Sequence, residues 1–111
     1  MDRKVQLDSF LNGIKEMGKE APDSVNAFMG LLKAAYTPGE LDLKTKELIS
    51  IAIGCYNRCE YCIVYHVNGA LKAGATKGEI IEAAMVSVAF GGGPSMAYSV
   101  TVLKEALEQL K

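Results

Sequence analysis

Apolar positions recur along the chain at a spacing of three or four residues, and no run alternates polar with apolar long enough to mark a strand, so the pattern predicts an all-α fold of about six helices. Over residues 5–19, Leu7, Phe10, Leu11, Ile14 and Met17 form one helical stripe. Ala21-Pro22-Asp23-Ser24 ends that helix and opens a second, which runs to about Tyr36 and stops at Thr37-Pro38-Gly39. A third helix begins near Asp42 or Leu43 and carries LISIAIG, apolar on nearly every side and so expected to be covered all round. Asn57 with Glu60 predicts the cap of a fourth helix that ends at Gly74. Thr76 and Glu79 repeat the capping signal for a fifth, and a sixth follows Pro94.

Residues 83–103 carry no charge and are long enough to cross a bilayer. Gly91-Gly92-Gly93-Pro94 interrupts them, and such a break would leave backbone groups unpaired in lipid, so the expectation is two buried helices meeting at a glycine turn and no membrane span. With 111 residues, 50% of them apolar and 23% charged, the chain fits one folded domain over residues 1–111. A net charge of −1 with interspersed signs provides no basic face for nucleic acid. Three cysteines, an odd number, behind an N-terminus without an apolar signal core point to a reducing cytoplasmic compartment, where a CxxC signifies chemistry more than a structural bridge.

The chemistry is concentrated in CYNRCEYCIVYH, Cys55 to His66, which holds all three cysteines and the single histidine. With Asn57 as cap, Cys59 falls in the first helical turn, where free backbone N–H groups and the helix dipole favour a thiolate. At about 100° per residue, Cys62 lies roughly 60° round from Cys59 and His66 about 20°, so the three share a face. His66, one turn beyond Cys62, is placed to take its proton. A link of one or two residues makes the third and fourth helices antiparallel, and Glu47 and His66 both lie about 14 Å from the turn. A carboxylate beside an imidazole fixes its tautomer and raises its basicity.

These residues resemble the alkyl hydroperoxide reductase D branch of the carboxymuconolactone decarboxylase family. The pattern E-x11-C-x2-C-x3-H is met by Glu47, Cys59, Cys62 and His66, and the likeness extends over about residues 38–92. The resemblance implies a helical domain that assembles into homo-trimers or hexamers, with a CxxC that cycles between dithiol and disulfide as it reduces small peroxides. A dithiol or lipoyl-type protein would be the reductant, and no cofactor or metal would be needed. In the best-known peroxidases of that branch a second histidine precedes the second cysteine; here Tyr61 stands there. Within the pair, proximity to His66 favours Cys62 as the attacking thiolate and Cys59 as the resolving thiol, since a positioned base contributes about 10²–10⁴-fold against under about 1 kcal/mol from the dipole.

Other readings meet obstacles. Cys55, Cys59 and Cys62 have the spacing of radical S-adenosylmethionine enzymes, whose partial barrel neither this length nor this helical pattern provides. A zinc site from Cys59, Cys62 and His66 needs a fourth ligand from Cys55 or Glu47, and no second CxxC completes it. Cys55 reads as a core residue, and Tyr56, Tyr61 and Tyr65 as packing or rim residues. Two functional alternatives remain beside the thiol peroxidase: a cofactorless decarboxylase or lyase on a cyclic acid using Glu47 and His66, and a non-catalytic redox-sensing oligomer.

Overall fold

The structure is a computed structural model and describes all residues from Met1 to Lys111. It contains six α-helices and no strand: α1 (Arg3–Glu20), α2 (Pro22–Tyr36), α3 (Leu43–Asn57), α4 (Glu60–Lys72), α5 (Lys77–Tyr98) and α6 (Lys104–Leu110), with a π-helical turn, Ser99–Leu103, between the last two. The helices begin where the caps require. Asp2 accepts the N–H groups of Lys4 and Val5 at the head of α1, Pro22 occupies the first turn of α2, and Asp42 accepts from Thr45 to open α3. At α5, Thr76 and Glu79 each accept the other's backbone N–H.

The α3–α4 junction differs from the expected one. Asn57 is the last residue of α3, and the cap of α4 is Cys59, whose Sγ accepts the N–H of Cys62 at 3.2 Å. The reason is the way α3 stops. Arg58 adopts the left-handed conformation (φ 55°), its N–H bonds to Cys55 O, and the Cys59 N–H reaches back to Gly54 O at 3.0 Å. This closure uses the residue after Asn57 as the turn, so the next helix can begin only at Cys59.

α4 is the central element, packed against α1, α3, α5 and α6. It contributes Ile63, Val64, Val67 and Ala70 to the core, which meet Ile51 and Cys55 of α3, Ile80 and Ala84 of α5, and Leu103 and Leu107 from the C-terminal end. The buried guanidinium of Arg3 ties α1 to the start of α4 through Glu60 (2.9 Å) and to α6 through Glu105 (2.8 Å). α2 has no buried residue of its own and leans on α1 and the site described below.

Residues Lys77–Leu110 form a 34-residue stretch that is long and apolar enough, by length and composition, to cross a membrane. It is broken at Gly92, whose backbone (φ 60°, ψ −139°) is open to glycine and strained for other residues. The glycine turn is therefore present, and the first arm packs along α3. The expectation that both arms, and the apolar run of α3, are covered all round does not hold within this chain. Phe90 is 81% exposed, Val86 58% and Ile53 53%, because α3 and α5 cover only one side of each other.

Candidate redox site

Two facing stripes build the site. Glu47, Ser50 and Gly54 recur at helical spacing along α3, and Cys62, His66 and Gly69 do so along α4. At the N-terminal end of α4, a Cβ on Gly54 would touch Cys62 Cβ and Ile63, so the bare glycine lets the CxxC turn lie close on α3. At the other end, a Cβ on Gly69 would collide with the Glu47 carboxylate.

Cys59 and Cys62 form a disulfide with their Cα atoms 5.2 Å apart, and Cys55 remains a free, fully buried thiol. Burial pushes the Cys55 thiol above its ordinary value, partly offset by a hydrogen bond with Ser99. Both properties remove it from exchange chemistry.

Glu47 and His66 meet as the helix pairing requires: His66 Nδ1 lies 2.6 Å from Glu47 Oε1, with both side chains largely buried. The other ring nitrogen does not face sulfur. Nε2 lies 3.4 Å from Tyr36 Oη, and neither cysteine sulfur is a hydrogen-bond partner of the ring. The expected arrangement of His66 poised directly on Cys62 is therefore absent in the disulfide state, since the Cys62 sulfur is committed to Cys59 and a phenol occupies Nε2.

Tyr36 comes from the end of α2 and had no signal in the sequence beyond its place at a helix terminus. Its ring stacks on His66 at 5.5 Å and 19°, and its hydroxyl is also hydrogen-bonded to Ser50. Lys46, the neighbour of Glu47, holds α2 in place by donating from Nζ to Ala35 O (2.9 Å) and Thr37 O (2.7 Å), the carbonyls on either side of Tyr36. Tyr65 packs edge-on against His66, and burial, with the negative charge of Glu47 adding to it, pushes its phenol above the ordinary value. A cavity of about 260 Å³ opens beside these groups, lined by Met29, Leu32, Lys33, Tyr36, Glu47, Tyr65 and His66. No three His, Cys, Asp or Glu side chains cluster closely enough to hold a metal ion.

Comparisons with known proteins agree with this architecture. The sequence profile described as "Carboxymuconolactone decarboxylase family" matches residues 22–105. An apo protein of that family from Legionella pneumophila shares the fold with a TM-score of 0.91 and 33% identity, covering 98% of this chain and 97% of that one. A Thermotoga maritima family protein, described with a suggested part in an antioxidative response, has a TM-score of 0.67 and 35% identity over 77% of this chain and 91% of its own. An uncharacterized Cupriavidus necator protein is 32% identical over 98 residues, 88% of this chain and 87% of that protein.

Proposed function

The chain belongs to the carboxymuconolactone decarboxylase family, and on that premise we propose that it is a thiol-dependent peroxidase or disulfide oxidoreductase of the alkyl hydroperoxide reductase D type. The observation that carries the reading is the Cys59–Cys62 disulfide at the capped start of α4, on the same helix as a histidine paired with a carboxylate. The suggested antioxidative role of the Thermotoga relative points the same way.

In the dithiol state the Cys62 thiolate attacks one peroxide oxygen, the O–O bond breaks, and the leaving alkoxide departs as alcohol with a proton from the site. The sulfenic acid on Cys62 then condenses with the Cys59 thiol, releasing water and forming the disulfide. The peroxide is reduced by two electrons and the two thiols are oxidised by two. A dithiol or lipoyl-type protein restores them by exchange. His66, held by Glu47, is the proton acceptor for Cys62 once the sulfur is free. The reaction proposed needs no cofactor and takes place in the cytoplasm, carried out by a homo-oligomer, trimer or hexamer, whose assembly covers the apolar faces of α3 and α5.

One feature favours a second reading. The cavity at Glu47, His66 and Tyr36 has no cysteine in its lining, which suits a cofactorless decarboxylase or lyase acting on a small acid. A thiol count before and after one equivalent of peroxide separates the readings. Loss of two thiols with turnover on a dithiol reductant supports the peroxidase; loss without turnover supports a redox sensor; indifference to peroxide supports the lyase.

A further inference from the structure

One series of contacts at the site fixes the number of hydrogens it must hold. Ser50 Oγ lies 2.8 Å from Lys46 O and is also bonded to Tyr36 Oη; Tyr36 Oη lies 3.4 Å from His66 Nε2; across the ring, Nδ1 lies 2.6 Å from Glu47 Oε1. The two ends, a peptide carbonyl and a carboxylate, can only accept. Four links between acceptor ends need four hydrogens. Ser50 has one and gives it to Lys46 O. Tyr36 has one, and with the Ser50 hydrogen already committed it donates to Ser50 Oγ. The phenol therefore turns a lone pair toward Nε2, and the Glu47–His66 pair must hold two hydrogens, which an ionised Glu47 leaves on the two ring nitrogens.

Resting on the reading above, we propose that Tyr36 is a positioning residue that keeps an extra proton on the Glu47–His66 pair while Cys59 and Cys62 are joined, so that the pair enters reduction as an acid. When the thiolate of an incoming dithiol attacks the disulfide, the S–S bond breaks with its electrons on the departing sulfur. The stored proton goes to that sulfur. The reductant's second thiol then displaces the mixed disulfide, leaving as a cyclic disulfide, and the remaining cysteine takes its proton from the reductant. In oxidation the emptied pair acts as base, taking the Cys62 proton and passing it to the departing alkoxide, and it is recharged with a proton from solvent once the disulfide has formed. The groups facing the ring are consistent with a single stored charge: Glu47 on α3 is in contact, Lys33 and Tyr36 come from α2, Tyr65 is on α4, and the Lys46 ammonium is turned to the α2 carbonyls.

The chain has one histidine, so nitrogen-15-labelled protein displays one imidazole. In the disulfide form in neutral buffer, both ring nitrogens are expected at protonated shifts. Tyr36→Phe keeps the stacking and removes the acceptor, and Ser50→Ala frees the Tyr36 hydrogen to point at Nε2; each is expected to leave Nε2 bare. Reduction of Tyr36→Phe by dithiothreitol should slow about tenfold, short of the ~10²-fold that loss of the acid itself brings, and by more than the oxidation of the reduced variant by peroxide. A bare Nε2 in the wild-type disulfide form overturns the proposal, as does equal slowing of both half-reactions. The spectra require no turnover, so a failed peroxidase assay and a failed proton assignment are told apart.

Discussion

Glu47 occupies the space where a side chain at Gly69 would stand. The glycine lies on α4 one turn past His66, and a Cβ there would overlap Glu47 Oε2. Replacing it by alanine is expected to push the carboxylate off His66. A helical Gly→Ala change normally stabilises by about 0.5–1 kcal/mol, whereas overpacking costs about 1–3 kcal/mol, so Gly69→Ala should lower stability and peroxide turnover together. Gly30→Ala on α2 meets nothing within 4 Å and should stabilise with no loss of turnover. Urea titration of both variants checks the contrast.

The proposed roles of the two thiols separate in single variants. Cys62→Ser should abolish peroxide consumption, while Cys59→Ser should leave a sulfenic acid trappable by dimedone on residue 62. His66→Ala should slow the reaction by about 10²-fold. Cys59, as the cap whose Sγ accepts the Cys62 N–H, is the competitor for the attacking role. Dimedone on Cys59 in Cys62→Ser, with none on Cys62 in the reciprocal variant, would exchange the assignments.

Cys55 should resist iodoacetamide in the native protein and react once it is unfolded. It is 0% exposed and burial raises its thiol, so the thiolate is both scarce and unreachable. Peptide mapping of peroxide-treated protein should find the Cys59–Cys62 link alone. A dominant link from Cys55 would contradict this.

The exposed apolar side chains of α3 and α5 predict self-association. Light scattering in reducing buffer should give a mass that is a multiple of 11.9 kDa, and Phe90→Asp, at the most exposed of these positions, should shift it toward the single chain. A wild-type mass of one chain refutes the expectation.

Acid should destabilise the fold over a defined range. The Thr45 side chain and then its backbone N–H hold Asp42 below its ordinary value of 3.8. Arg3 and then Gln6 hold Glu60 below 4.5, and the Thr76 backbone followed by Lys44 does the same for Glu79. Each group binds its proton less readily folded than unfolded, so its contribution is complete above the ordinary value and is lost as pH falls through the lowered one. The urea midpoint should be level above about pH 5 and decline below about pH 4.5 with respect to these groups. Arg3→Met, by removing the partner of Glu60, should flatten part of that decline.

What the sequence determined was local. Helix spacing, the Thr76–Glu79 box, the Pro22 start and the short link after Asn57 depend on neighbours within a few residues, and they sufficed to place Glu47 beside His66, because two antiparallel helices on a short turn leave little choice of register. Cys59 as the cap of α4 is local too, a closure of Cys59 N–H on Gly54 O through a left-handed Arg58 that the Asn57–Glu60 pattern did not signal, and what only the tertiary structure decided lies elsewhere. It is true of Tyr36, 30 residues from His66: its position follows from how α1 of the α1–α2 hairpin packs on α4 and α6 and from the Lys46 clamp on the end of α2. It also holds for the uncovered faces of α3 and α5, because a residue's hydrophobicity says that it should be covered, while the covering surface belongs to whatever packs against it.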